Sequence, residues 1–238
     1  MLSEAARPYI AASVPVLREH GERITRAFYG AMFQAHPELQ HVFNMGNQKS
    51  GVQQNALAGA LFAYAANIDN GSALAPVVDR IVHKHAAVGI KPSHYPIVAR
   101  HLLGAIRTVL GDAATPELLS AWDEAYWLLA GELIAAEARL YQRTGADAGA
   151  LTALPVVRVE RESPSVTSFY LQRDGASPGS FQPGQYVSVA VDLPGGLRQL
   201  RQYSLSDAPS APHWRISVKR EDAGASPAGE VSNDLHAR

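Results

Sequence analysis

The apolar residues of this chain change their period once, and that change divides whatever the chain folds into. From Leu2 to about Arg143 they recur at helical spacing, with breaks expected at Gly21, His36-Pro37, Asn70-Gly71, Gly89 to Pro92 and Gly111 to Pro116. Thr144 to Pro155 is a run of small residues with little to pack. Beyond it, Val156 to Val159, Thr167 to Leu171, Gln185 to Val191 and Trp214 to Lys219 are short and rich in β-branched or aromatic residues. Turns such as Pro183-Gly184 and Pro194-Gly195-Gly196 separate them. The pattern predicts a multidomain protein: an all-α domain over 1–143, a linker over 144–155 and an antiparallel β domain over 156–238. No repeat of fixed period runs through it.

Composition removes several function classes. Lys+Arg 21 against Asp+Glu 22 gives a net charge of -1, so there is no global field to hold nucleic acid. Cys 0 excludes disulfide frameworks, iron–sulfur clusters and zinc fingers, and leaves the nine histidines as metal-ligand candidates. Met1 to Leu17 carries Glu4, Arg7, Pro8 and Pro15 and lacks the form of a signal peptide. The longest uncharged run, Gly51 to Ile68, is broken by Gln53, Gln54, Asn55 and Asn67, so no membrane span and a cytoplasmic location are expected.

An α-helix turns about 100° per residue, which places polar residues on or off an apolar stripe. Leu74, Val77, Val78, Ile81 and Val82 share one face. His85 falls within about 20° of that face's centre, whereas His83 points roughly opposite. A helix expected over about 48–68 sets Leu57, Ala60, Tyr64 and Ile68 on its stripe, with Gln53 on the same line. Tyr95 shares a stripe with Val98, Leu102 and Ile106. In the last helix Leu119, Trp122, Tyr126, Leu129, Leu133 and Leu140 form a stripe whose edge includes Glu137. Singly, these are a core histidine, a core tyrosine and a solvated flank. Together they send an imidazole, a phenol and a carboxylate inward from three helices, where unpaired groups are costly, so they are expected to pair.

In their local sequences, Phe43 in Val-Phe-Asn-Met, His85 in Lys-His-Ala, Tyr95 in Lys-Pro-Ser-His-Tyr-Pro-Ile-Val and Glu137 in Glu-Ala-Arg-Leu-Tyr resemble the globin domain of bacterial flavohaemoglobins, over residues 1 to about 143. The resemblance implies a globin fold holding haem b, with His85 as the proximal iron ligand and Phe43 packed on the haem. It makes Tyr95 and Glu137 the hydrogen-bond network around His85. On the distal side it puts Tyr29, Gln53 and Leu57, where a phenol and an amide can donate to dioxygen and an apolar residue limits access. Periodicity does not single out Tyr29, because Phe28, Ala31, Met32 and Phe33 make its helix apolar on most sides. Lys84, beside the ligand, is implied as an electrostatic influence on redox potential. The chemistry is coherent: an imidazole whose second nitrogen donates to a carboxylate is held in one tautomer and is a stronger donor to a metal. Extra electron density on iron favours dioxygen activation over storage.

In the β half, Gly184-Gln-Tyr186-Val begins a strand, Arg201-Gln202-Tyr203-Ser204 follows, and Gly229-Glu-Val-Ser232-Asn lies further on. A flavin dinucleotide needs a cation for its pyrophosphate, an aromatic wall for its ring system and short donors at the ring nitrogens. Arg-x-Tyr-Ser supplies all three, with Arg201 and Tyr203 on one side of a regular strand and Ser204 on the other. This half resembles the FAD-binding barrel of the ferredoxin-reductase family. The resemblance places Tyr186 and Tyr203 near the isoalloxazine, Arg201 at the pyrophosphate and Ser204 on the ring, with Gln202 and Ser232 as further FAD contacts. In that family a last barrel segment and a nucleotide lobe follow the part matched here, and no G-x-G-x-x-G occurs, so the barrel is expected to be incomplete and the NAD(P)-binding lobe absent.

The implied function is nitric oxide dioxygenation, in which dioxygen and nitric oxide give nitrate with electrons from NAD(P)H through FAD. The alternatives are a non-enzymatic globin that binds or senses dioxygen or nitric oxide, and a reductase whose globin only senses ligand. Expected partners are the two gases, with a separate reductase or a second copy of the chain at the unpaired barrel edge; no nucleic acid is expected.

Overall fold

Prolines and glycines set most of the helix ends. The computed structural model describes residues 1–224 and 228–238. Its first unit, Met1–Gln40 with Asn47–Gly149, is all helical. Helix α1 (Arg7–Ala35) has a proline in its first turn and continues through Gly21, where a break is expected from sequence. That glycine serves a close helix crossing instead: a Cβ there would lie 3.3 Å from the Ala58 Cβ of α3 (Val52–Ala66). The single helix expected over about 48–68 is two, α2 (Met45–Lys49) and α3, because Gly51 between them is left-handed with φ 80°.

Helix α4 (Gly71–Val88) starts at Asn70, whose side chain accepts from the Ala73 N–H at 3.1 Å. It ends at Gly89 in the left-handed conformation, beyond which the Ile90 N–H bonds back to the His85 carbonyl at 3.0 Å. Helix α5 (Tyr95–Leu110) follows a single 3-10 turn. Helix α6 (Pro116–Thr144) begins on a Thr115 cap and ends at Gly145. Ile10, Leu17, Ile24, Phe28 and Met32 of α1 pack in the core with Leu61, Val82, Leu102, Ile106, Trp122 and Leu133.

The first part of the expected linker belongs to this unit. The Ala146 N–H donates to the Tyr141 carbonyl at 3.2 Å. Gly149 then packs so closely on the α4 cap that a Cβ at Gly89 would stand 2.5 Å from the Gly149 Cα.

The second unit is His41–Gly46 with Ala150–Arg238. Strands β1 (Val156–Ser163), β2 (Val166–Leu171) and β5 (Trp214–Lys219) form an antiparallel sheet in the order β1-β2-β5. Strands β3 (Tyr186–Asp192) and β4 (Arg198–Ser204) form a two-stranded antiparallel sheet. Phe169, Phe181, Leu205, Ile216 and Val218 make the core, against which Val187, Val189, Tyr203 and Leu235 pack. A short α7 (Glu230–Ala237) buries Val231 against Val191 and Leu193. Among the described residues the sheets do not close, as expected of an incomplete barrel, and β1 is an edge strand with Val156, Val157 and Val159 exposed. Among the described residues, no helix is long and apolar enough to cross a membrane.

Candidate functional site

The last turn of α4 carries His85 to the carboxylate of α6 and the phenol at the start of α5. His85 Nδ1 is 2.7 Å from Glu137 Oε1, and the Tyr95 hydroxyl donates to the same oxygen at 2.6 Å. Tyr95 is itself held by its backbone, whose carbonyl accepts from the Tyr126 hydroxyl at 2.7 Å. Glu137 is 2% exposed and Tyr95 5%, so both donors are needed to offset burial of the carboxylate. Burial, reinforced by Glu137, pushes the Tyr95 phenol well above its ordinary range and keeps it a neutral donor.

This network fixes the tautomer. A carboxylate only accepts, so the proton lies on Nδ1, and in the neutral ring Nε2 keeps its lone pair. Nε2 has no hydrogen-bond partner among the described residues. Those residues also contain no group of three or more His, Cys, Asp or Glu able to hold a bare ion. A single oriented imidazole suits a metal whose other ligands come from a macrocycle, so the donor set fits haem. His83 points away, pairs with Asp79 at 3.8 Å and is exposed. Lys84 is exposed beside His85.

Tyr29 of α1 and Gln53 of α3 also meet: Gln53 Nε2 donates to the Tyr29 hydroxyl at 3.3 Å. Burial raises the Tyr29 pKa to about 12, and the Gln53 and Gln48 amides oppose that rise. Leu57, one turn along α3, is half-buried. Two further residues, Gln48 and Gln54, are buried nearby, and no apolar stripe in the sequence marks them. Phe43 lies in the 41–46 segment of the second unit, where its carbonyl accepts from Gln199 Nε2 at 3.4 Å.

In the β unit, Tyr186 stands opposite Ser204, Ser188 opposite Gln202, and Val189 opposite Arg201. Tyr186, Gln202 and Ser204 therefore share one face, and Arg201 and Tyr203 the other. Tyr186 and Ser204 are exposed, whereas Tyr203 packs against the core. Gln202 Nε2 donates to the Ser188 hydroxyl at 3.2 Å. Arg201 Nη1 donates to the Leu200 carbonyl at 2.8 Å and to Gln199 Oε1 at 3.3 Å. Gln199 is fully buried, and no pattern in the sequence marks it as the brace for Arg201. Arg201 forms no salt bridge among the described residues, and burial lowers its pKa, so a pyrophosphate would suit it. Ser232 is turned inward: its hydroxyl donates to the Gly229 carbonyl at 3.0 Å and accepts from the Glu221 N–H at 3.2 Å.

Comparison with known proteins finds relatives over the whole chain. A globin family model matches residues 26–133. The Flavohemoprotein of Rhizobium meliloti is 49% identical over 241 residues, covering 99% of this chain and 60% of that protein. That of Chromobacterium violaceum is 52% identical over 242 residues, with 99% and 60% covered. The crystal structure of a flavohaemoglobin from Malassezia yamatoensis with bound FAD and haem is 32% identical, with a TM-score of 0.84 over 100% of this chain and 61% of its own. A bacterial globin from Campylobacter jejuni is 38% identical, with a TM-score of 0.56 over 59% of this chain and 99% of its own. The chain belongs to the flavohaemoglobin family and spans about 60% of the length of the curated relatives it matches.

Proposed function

We propose that this chain holds haem b through His85 Nε2 and FAD on β3 and β4, and that it oxidises nitric oxide to nitrate with dioxygen. The electrons are those of NAD(P)H, passed through FAD. The observation that carries the reading is the His85–Glu137–Tyr95 network, with 2.7 and 2.6 Å contacts on one buried carboxylate oxygen. Haem bound there would supply an iron centre that takes up dioxygen and exchanges single electrons. Glu137 holds the Nδ1 proton and so makes His85 an electron-rich ligand. Tyr29, kept protonated by burial, supplies a donor for negative charge developing on dioxygen in the distal pocket. Gln53 orients that phenol, and Leu57 limits the size of what enters. Arg201, Tyr203, Tyr186 and Ser204 are the proposed FAD contacts, with Gln202 bracing the strand pair.

The test is to purify the chain with His85→Ala and His83→Ala. The parent and the His83 variant should show a Soret band and, once reduced in air, consume nitric oxide at an electrode. The His85 variant should lose both. Normal haem retention in His85→Ala refutes the assignment.

A further inference from the structure

Six residues leave the helical part of the sequence to join the β unit: His41–Gly46 belongs there, although Gln40 before it and Asn47 after it belong to the helical unit. A buried side chain of β4 receives this segment. Gln199, which is 0% exposed, accepts from the Met45 N–H at 3.2 Å and from Arg201 Nη1 at 3.3 Å, both on Oε1. Its Nε2 donates to the Phe43 carbonyl at 3.4 Å and to the Arg198 carbonyl at 3.0 Å. Two donors meet the oxygen and two carbonyls meet the nitrogen, so the amide has one orientation. Beside it, the Arg198 N–H donates to His41 Nδ1 at 3.0 Å.

The same amide serves Arg201. Gln199 and Arg201 stand two apart on β4 and so project to one side of the strand. Arg201 Nη1 is tied to Gln199 Oε1 and, at 2.8 Å, to the Leu200 carbonyl. The other terminal nitrogen lies towards the segment, since a Cβ at Gly46 would stand 3.9 Å from Arg201 Nη2. A guanidinium is a rigid fork of five donors, so anchoring one nitrogen fixes the direction in which the others can grip a pyrophosphate. An arginine held in advance also loses less rotamer freedom when a ligand arrives.

We infer that Gln199 couples the 43–46 segment to FAD binding: one buried amide holds the Phe43 and Met45 backbone and steadies the Arg201 guanidinium, so that docking of the segment and binding of FAD strengthen each other. This rests on the reading of Arg201 as the pyrophosphate contact. Gln199 is a positioning residue that acts on FAD through Arg201. The coupling is reciprocal: if the docked segment favours FAD, bound FAD must favour the docked segment. Loss of one pre-ordered side chain should cost about 3- to 10-fold in affinity.

The experiment titrates FAD into the full chain and follows flavin fluorescence. A parent that binds no FAD, or an Arg201→Leu variant that binds it equally well, overturns the FAD-site reading and the inference with it. Gln199→Met keeps the volume and removes the amide. It should weaken FAD binding about 3- to 10-fold in the parent and less than about twofold in Arg201→Leu, because its effect runs through the guanidinium. Met45→Pro removes one N–H at the first position of α2, where proline is accommodated. It should weaken FAD binding about two- to threefold, and it serves where Gln199→Met folds poorly. A second measurement needs no substitution: saturating FAD should slow backbone deuterium exchange over residues 43–46 about 3- to 10-fold. A purely structural glutamine would give no such protection, and Arg201→Leu should lose it. The inference is overturned if the parent binds FAD through Arg201 and exchange over 43–46 is the same with and without it. It is equally overturned if Gln199→Met and Met45→Pro leave FAD affinity unchanged, or if the loss in Gln199→Met persists undiminished in Arg201→Leu.

Discussion

Replacing Glu137 by Gln tests how the proximal carboxylate tunes a bound metal. The substitution keeps the shape and removes the charge from an oxygen that receives Tyr95 at 2.6 Å and His85 Nδ1 at 2.7 Å. A hydrogen bond to a charged group contributes about 1.5–3 kcal/mol and a neutral one about 0.5–1.5, so the swap removes about 1–1.5 kcal/mol from the His85 contact. If His85 holds haem as proposed, that contact would stabilise the more positive, oxidised iron, so its weakening should raise the midpoint potential. At about 59 mV per 1.4 kcal/mol for one electron, the rise is about 40–65 mV. Tyr95→Phe should act in the opposite sense. It withdraws a competing donor from Glu137 and leaves the carboxylate a stronger acceptor for Nδ1–H, so the potential should fall slightly. Spectroelectrochemical titration of the Soret band measures both. A potential that is unchanged or lower in Glu137→Gln, or that moves the same way in both variants, refutes the argument.

Arg201→Leu should weaken FAD binding about 10- to 100-fold, as loss of one charge-assisted contact to a pyrophosphate implies, with the Soret band unchanged; quenching of flavin fluorescence measures it. Gly89→Ala forces a methyl to 2.5 Å from Gly149 at φ +75°, whereas Gly111→Ala, at φ +55°, meets nothing within 4 Å. The first should cost about 2–3 kcal/mol and the second about 1, seen as a Tm fall of about 4–10 °C against about 2–4 °C. Burial lifts the Tyr29 pKa from 10.0 to about 12, so above the lower value the native state holds a proton that the unfolded chain has lost. Stability should therefore be flat in this term below about pH 10 and decline towards about pH 12. Tyr29→Phe should make that decline shallower in denaturant titrations.

What the sequence disclosed depended on whether helical phase was kept. His85 lies on a helix with one clear apolar face, bounded by Asn70 and Gly89, so angular arithmetic aimed it correctly. Glu137 lies at the edge of the sequence's apolar stripe, yet it is 2% exposed, because α6 meets both α4 and α5 and buries a wider arc than one stripe. The distal side was harder. Gly51 resets the phase between α2 and α3, which hides Gln48, and within α3 the buried line runs through Gln54, Leu61 and Ala65, one residue round from the stripe through Gln53 and Leu57. Tyr29 was invisible to periodicity because α1 buries Phe28, Tyr29 and Met32 around most of its circumference. Gly21 misled for a related reason: glycine marks a break or a close approach, and only the facing Ala58 decides which. In the β unit, alternation gave the faces of Arg201, Tyr203 and Ser204 correctly, since it needs no tertiary information.

The packing of Gly149 on the cap of α4 changes what kind of connector follows the helical unit. Composition marks residues 144–155 as loose, but the fold claims residues up to 149, and the Pro155 carbonyl is already engaged by the Gln172 N–H. Only residues 150–154 are left as free tether, and such a segment spans at most about 18 Å when drawn straight. Its fixed end is also not the end of α6, where the helix stops, but the cap of the helix that carries His85. A pull along the chain is therefore felt first at Gly89, one turn beyond the imidazole.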